Sequence, residues 1–359
     1  MRIRTKRILP IALGVLIIAA AVTLAVQLRR RAPPEPARLL PGADAFFYVN
    51  LAWVRTLNTV SQLPPVSRDP EYEQFVQQTG FQFERDLDKA AFAVHYPASW
   101  GASGTGDSSP QPRFSEIFVG RIQNERHKAY LKGIARSIDT YHSTDVFNIP
   151  LEGRTLRVAV LGVDTVAVSN HDDPQLIRGI IDRSRKLASP FGGPAFLRQY
   201  YKHVPFAGLA FPFASLAWGI ARVQPASPGS PSIFGGWSIL FPRPTTVVIS
   251  ARYLRALHLK AEAFTANDED AQSIADKATT FLTLFHAAEG AVSRRGVDPD
   301  VKAFFDSLKV EQHDSRAVLT ATVPPGFMRK AIAESPPQLT PMPPVPPRNE
   351  QKAQPPPSK

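Results

Sequence analysis

The side chains able to do chemistry are thinly spread along this chain. Eight histidines stand at His95, His127, His142, His171, His203, His258, His286 and His313. No two are three or four residues apart, the spacing that sets two ligands on one helix face. His171-Asp172-Asp173 offers metal-capable atoms, but it follows Asn170 and precedes Pro174. Acid in a first helical turn suits the helix dipole, and proline there needs no N–H partner, so the expected role is to start a helix. Asn267-Asp268-Glu269-Asp270 looks like a calcium loop, yet it lacks the glycine and the closing glutamate such a loop needs; it too reads as a cap. Gly101–Gly106 is glycine-rich without the lysine and helix of a phosphate cradle. His-Glu-x-x-His, Gly-x-Ser-x-Gly and dinucleotide fingerprints do not occur. With no cysteine, the chain has no disulfide, thiolate metal site or cysteine nucleophile. These residues assign no catalytic group, no metal ligand and no cofactor.

Aromatic side chains are more concentrated. Between Phe191 and Trp218 lie Phe196, Tyr200, Tyr201, Phe206, Phe211 and Phe213. Their plain role is core packing of a strand–helix layer. Their functional alternative, together with Trp218, is the wall of a cavity for an acyl chain or another apolar ligand.

The elements that must position these groups mix strands and helices. Strands are expected at Phe46–Leu51, Ala90–Tyr96, Glu116–Arg121, Val146–Leu151, Leu156–Leu161 and Thr165–Ser169. Helices are expected at Glu71–Thr79, Glu125–Ile138 and Gln175–Leu187; in the second, Tyr130, Leu131, Ile134 and Ile138 share one face. Further on, strands are expected at Gly208–Ala221, Trp237–Phe241, Thr245–Ala251, Leu257–Thr265, Lys309–His313 and Ala317–Val323. The helices of that half are Asp268–Ala291 and Asp300–Leu308. Pro97–Arg113 and Gln224–Gly236, rich in Ser, Pro and Gly, read as loops. The order predicts an α+β fold with mixed or antiparallel sheets and packed helices, organised as two duplicated units, 39–190 and 191–334.

Two flanks differ from this part. Ile8–Leu28 is an uncharged, mostly apolar run that as a helix reaches roughly 31 Å, matching a hydrocarbon core of about 30 Å. It is expected to be an uncleaved transmembrane anchor between a cytoplasmic tail, 1–7, and a linker, 29–38. A cleaved signal peptide is the competitor, since Ala19-Ala20-Ala21 could mimic a cleavage site. Arginines flank both ends, so the positive-inside rule gives little asymmetry. A short tail before the span and a large domain after it favour export of the domain. Ser335–Lys359 holds ten prolines and almost no large apolar side chain, and is expected to be a disordered tail. Its Pro343-Pro344-Val345-Pro346-Pro347-Arg348 fits the Pro-x-x-Pro-x-Arg pattern, though a spacer is its simpler role.

The net charge of +11 does not indicate a nucleic-acid protein. Residues 1–38 hold eight basic residues and one acid, and the tail holds three and one. Leu39–Glu334 retains 31 basic and 29 acidic residues, without the basic surplus of a nucleic-acid-binding domain.

Leu40-Pro41-Gly42-Ala43-Asp44-Ala45-Phe46-Phe47-Tyr48-Val49-Asn50-Leu51, directly after the anchor, resembles the opening of bacterial single-pass membrane-anchored exported proteins catalogued as domains of unknown function. The stretch Leu308–Pro325 is similar to their closing strands. The resemblance implies export and a single anchor, and supplies no catalytic residues. The expected protein is an inner-membrane, single-pass envelope protein with its bulk on the periplasmic side. It would bind a partner or ligand without catalysis, touching the lipid bilayer through residues 8–28 and an envelope protein or apolar ligand elsewhere. The alternatives are a carrier or sensor of an apolar ligand such as a lipid, and an unrecognised hydrolase.

Overall fold

The structure is a computed structural model and describes residues 32–56, 70–97, 112–151, 153–185, 192–205, 215–225, 239–292 and 299–327. The expected anchor and the proline-rich tail lie outside these residues. Among the described residues no helix is long and apolar enough to cross a membrane.

The chain opens with α1 (Glu35–Leu39) and β1 (Ala45–Asn50). Three helices follow, α2 (Leu51–Thr56), α3 (Pro70–Thr79) and α4 (Phe83–Asp86). β2 (Leu87–His95) and β3 (Arg113–Gly120) complete a meander with β1. Helix α5 (Asn124–Ile134) then leads to a sheet edge, where β4 (Ser137–Tyr141) begins a return. β5 (Thr144–Leu151), β6 (Arg154–Val160) and β7 (Thr165–Ser169) bring the chain back beside β3. α6 (Gln175–Arg185) and α7 (Ala195–Tyr201) follow.

The second half traces a similar path. β8 (Ala217–Val223), β9 (Thr245–Leu254) and β10 (Ala256–Phe264) form a meander. α8 (Asp268–Val292) and α9 (Pro299–Asp306) lead to the opposite edge at β11 (Lys309–His313), and β12 (Arg316–Val323) returns beside β10. The fold is thus α+β, and its described strands form one 12-stranded sheet, β11-β12-β10-β9-β8-β1-β2-β3-β7-β6-β5-β4. Every pairing is antiparallel. The halves meet where β1 pairs β8, so they share one sheet rather than holding one each.

Directly opposed residues of antiparallel strands point to the same face, so the pairing register defines rows across the sheet. One row runs Ser137, Asn148, Arg157, Ser169, Ser115, Ala93, Phe46, Ile220, Val248 and Glu262. Its middle is apolar and buried, covered by α6 through Ile177, Ile180 and Ile181, spaced one helical turn apart. Its end toward β4 is polar.

Three expectations need correction. The helix expected to reach Ile138 ends at Ile134, because Ile138 joins edge strand β4; both isoleucines are more than 40% exposed rather than facing a core. Within Trp237–Phe241, Ile239-Leu240 forms a short 3₁₀ turn, not a strand. Within Gly208–Ala221 the strand starts at Ala217, and residues 206–214 lie outside the described part. The capping roles are as expected: Asn267 Oδ1 accepts from Asp270 N at 2.8 Å, and Asp173 Oδ1 from Gln175 N at 2.8 Å.

Candidate functional site: an arginine-lined cleft

The polar end of the row opens into a cleft of about 590 Å³ between the start of α6 and strands β4, β5 and β6. Four guanidinium groups line it: Arg136 just before β4, Arg154 and Arg157 on β6, and Arg178 on α6. Ser137, Asn148 and Thr155 add neutral polar atoms. Asp139 is the one carboxylate among the described lining residues. A guanidinium stays charged at any pH the fold meets, so these four side chains carry fixed positive charge.

Two of the arginines are held in place. Arg157 Nη1 donates to the His171 carbonyl at 2.6 Å. The Arg178 guanidinium sits 5.3 Å from the centre of the Tyr141 ring, and Tyr141 donates its hydroxyl to Asp182 Oδ2 at 3.1 Å. Asp139 is held by a neutral neighbour. Asn148 Nδ2 donates to Asp139 Oδ2 at 2.9 Å and to Ser137 Oγ at 3.1 Å. None of the four guanidinium groups forms an ion pair with Asp139 among the described residues.

From Arg157 the polar row continues inward. His171 N donates to Ser169 Oγ at 3.3 Å, Ser169 Oγ lies 3.1 Å from Ser115 Oγ, and Ser115 Oγ lies 3.2 Å from His95 Nε2. Burial, with a smaller contribution from His171, pushes the His95 imidazole down to about 4. This is a serine–histidine contact, but Ser115 is fully buried and offers no surface to a substrate. Among the described residues no three His, Asp or Glu side chains gather as a metal site.

The aromatic residues singled out in the sequence are partly brought together. Trp218 stacks on Tyr48 at 5.5 Å and meets Tyr201 edge-on at 5.3 Å; Trp218 and Tyr201 are buried. Phe196 lies 6.2 Å from Phe46 and 5.3 Å from Tyr200, which meets Phe264 at 5.3 Å. Phe206, Phe211 and Phe213 lie outside the described residues. A second polar cleft of about 540 Å³ lies between β9, β10, β12 and the end of α9, lined by Arg252, His258, Lys260 and Lys309. Lys260 is already engaged there by buried Glu262 at 2.9 Å.

No motif or spacing in the sequence sets the cleft arginines apart. They are separated by up to 42 positions, from Arg136 to Arg178, and only the hairpins β4–β5–β6 and helix α6 collect them. Fold and cleft together define an α+β scaffold with an arginine-lined cleft at one end of its sheet. No protein-family model matches the chain, and no curated protein matches it. Among solved structures it is similar to TP0453: in crystal form IV, TM-score 0.44 and 9% identity over 83% of this chain and 96% of that one. Crystal form I gives TM-score 0.43 and 9% identity over 84% and 98%.

Proposed function

We propose that this chain is a non-enzymatic binding module of the bacterial envelope that recognises an anionic ligand through the arginine cleft. In this reading Ile8–Leu28 holds it in the inner membrane, with the folded part on the periplasmic side. The observation that carries the reading is the convergence of Arg136, Arg154, Arg157 and Arg178 on one cleft with a single described carboxylate. Guanidinium groups offer paired donors that match phosphate and carboxylate oxygens, and four of them around one described carboxylate favour an anion.

The membrane anchor fits this role. Pro33 is already buried, five residues beyond the end of the apolar run at Leu28. Five extended residues span at most about 18 Å, so an anchored chain would keep its fold close to the headgroups. The apolar-carrier reading draws less support, because Tyr201 and Trp218 are packed within the core.

Calorimetric titration of the full-length, detergent-solubilised protein with pyrophosphate tests the proposal. Saturable binding, weakened about tenfold or more by Arg157→Gln combined with Arg178→Gln, is the expected result. No binding, or binding indifferent to both substitutions, would contradict it.

A further inference from the structure

Asp139 is the unexpected member of the cleft. A site selected only for negative charge gains nothing from a carboxylate, which repels the ligand and competes for the guanidinium groups. Yet Asp139 lies among four arginines without pairing with any of them. The Asn148 side chain, itself buried, holds its Oδ2 at 2.9 Å and binds Ser137 Oγ at 3.1 Å with the same amide nitrogen. Among the described residues no side chain donates to Asp139 Oδ1, and the residue is exposed at the cleft. A carboxylate is an acceptor only, and its natural ligand partners are hydroxyl or N–H donors. Ser137 and Thr155 add hydroxyls that can both donate and accept.

We infer that the cleft takes a phosphorylated sugar or polyol, with the guanidinium groups on the phosphate and Asp139, fixed by Asn148, accepting from the ligand's hydroxyls. This inference rests on the anion-binding reading above and adds the ligand's second half. The same chemistry is carried by a soluble sugar phosphate and by a polyol-phosphate lipid headgroup.

The test uses calorimetry on the full-length protein in detergent, with inorganic phosphate, glucose 1-phosphate and dihexanoyl phosphatidylglycerol as probes. Glucose 1-phosphate or the phosphatidylglycerol is expected to bind about tenfold tighter than inorganic phosphate, the worth of one hydrogen bond to a charged group. Tighter binding of the lipid would assign a headgroup source, and tighter binding of the sugar phosphate a soluble one. Asp139→Asn should remove most of that margin while leaving phosphate binding equal or tighter. Asn148→Ala, which frees the Asp139 side chain, should reduce the margin as well. Equal binding of all three probes, or an Asp139→Asn variant that tightens every probe alike, would overturn the inference and leave the anion site standing. Failure of every probe to bind would remove both.

Discussion

Arg183 on α6 donates a 2.7 Å hydrogen bond from Nε to the backbone carbonyl of Leu39, 144 residues earlier. Leu39 ends α1, the first described element after the expected anchor, and Arg178 on the same helix lines the cleft. The step of five positions from Arg178 to Arg183 spans about 7.5 Å of helix. One helix therefore ties the start of the described fold to the arginine-lined cleft.

Arg183→Met should loosen that tie. It leaves a carbonyl at a buried residue without its donor, which costs about 1–3 kcal/mol. The urea midpoint should fall accordingly; an unchanged midpoint would show that the bond contributes nothing.

The turn between β4 and β5 offers the opposite outcome. His142 and Ser143 sit at φ 46° and 59°, the left-handed region that both central residues of a type I′ turn require. Asn and Gly occupy it at lower cost than His and Ser, so His142→Asn with Ser143→Gly should stabilise the fold by up to about 1 kcal/mol. A thermal melt checks this, and a lowered melting temperature would contradict the turn geometry.

Gly120 marks a close approach. A Cβ there would collide with the Asp86 backbone carbonyl, so Gly120→Ala should destabilise by about 1–3 kcal/mol through backbone displacement. Denaturant unfolding that shows no loss would exclude the contact.

Acid should act in two windows. Burial, ahead of repulsion from His171, holds the His95 pKa at about 4, below the ordinary value near 6.5. A depressed histidine favours folding while neutral, so its stabilisation is complete above about pH 6.5 and is lost as pH falls toward about 4. His127 and His203 are pushed down by burial too, so His95→Gln should flatten only part of this slope. Asp86 is held below the usual carboxylate range, chiefly by its hydrogen bond with Arg85, and its contribution should vanish only below about pH 4. Urea midpoints across pH for wild type, His95→Gln and Asp86→Asn would separate the two; superimposable curves would contradict the assignment.

Much of the fold was legible in the sequence because its strands carry local signals. β7 and β11 were located at their observed bounds, and β2, β5, β9 and β12 within three residues at either end. Alternation fails where a strand is exposed on both sides, and that hid β4: Ser137–Thr140 is exposed throughout. Ile134 and Ile138 then mimic one helical stripe across a helix end. α7 is seven residues long, too short to show a period. The cleft was illegible for a different reason. Its charges come from distant positions that antiparallel pairing alone brings together, and nothing at Arg136 or Arg178 separately distinguishes them from surface arginines.

Native mass spectrometry of the full-length protein, gently extracted from its own membrane, decides whether the arginine cleft carries an anionic ligand. A reproducible added mass that contains phosphorus and is lost in the Arg157→Gln/Arg178→Gln variant is expected. A clean apo mass, or an uncharged apolar adduct that survives both substitutions, would contradict it.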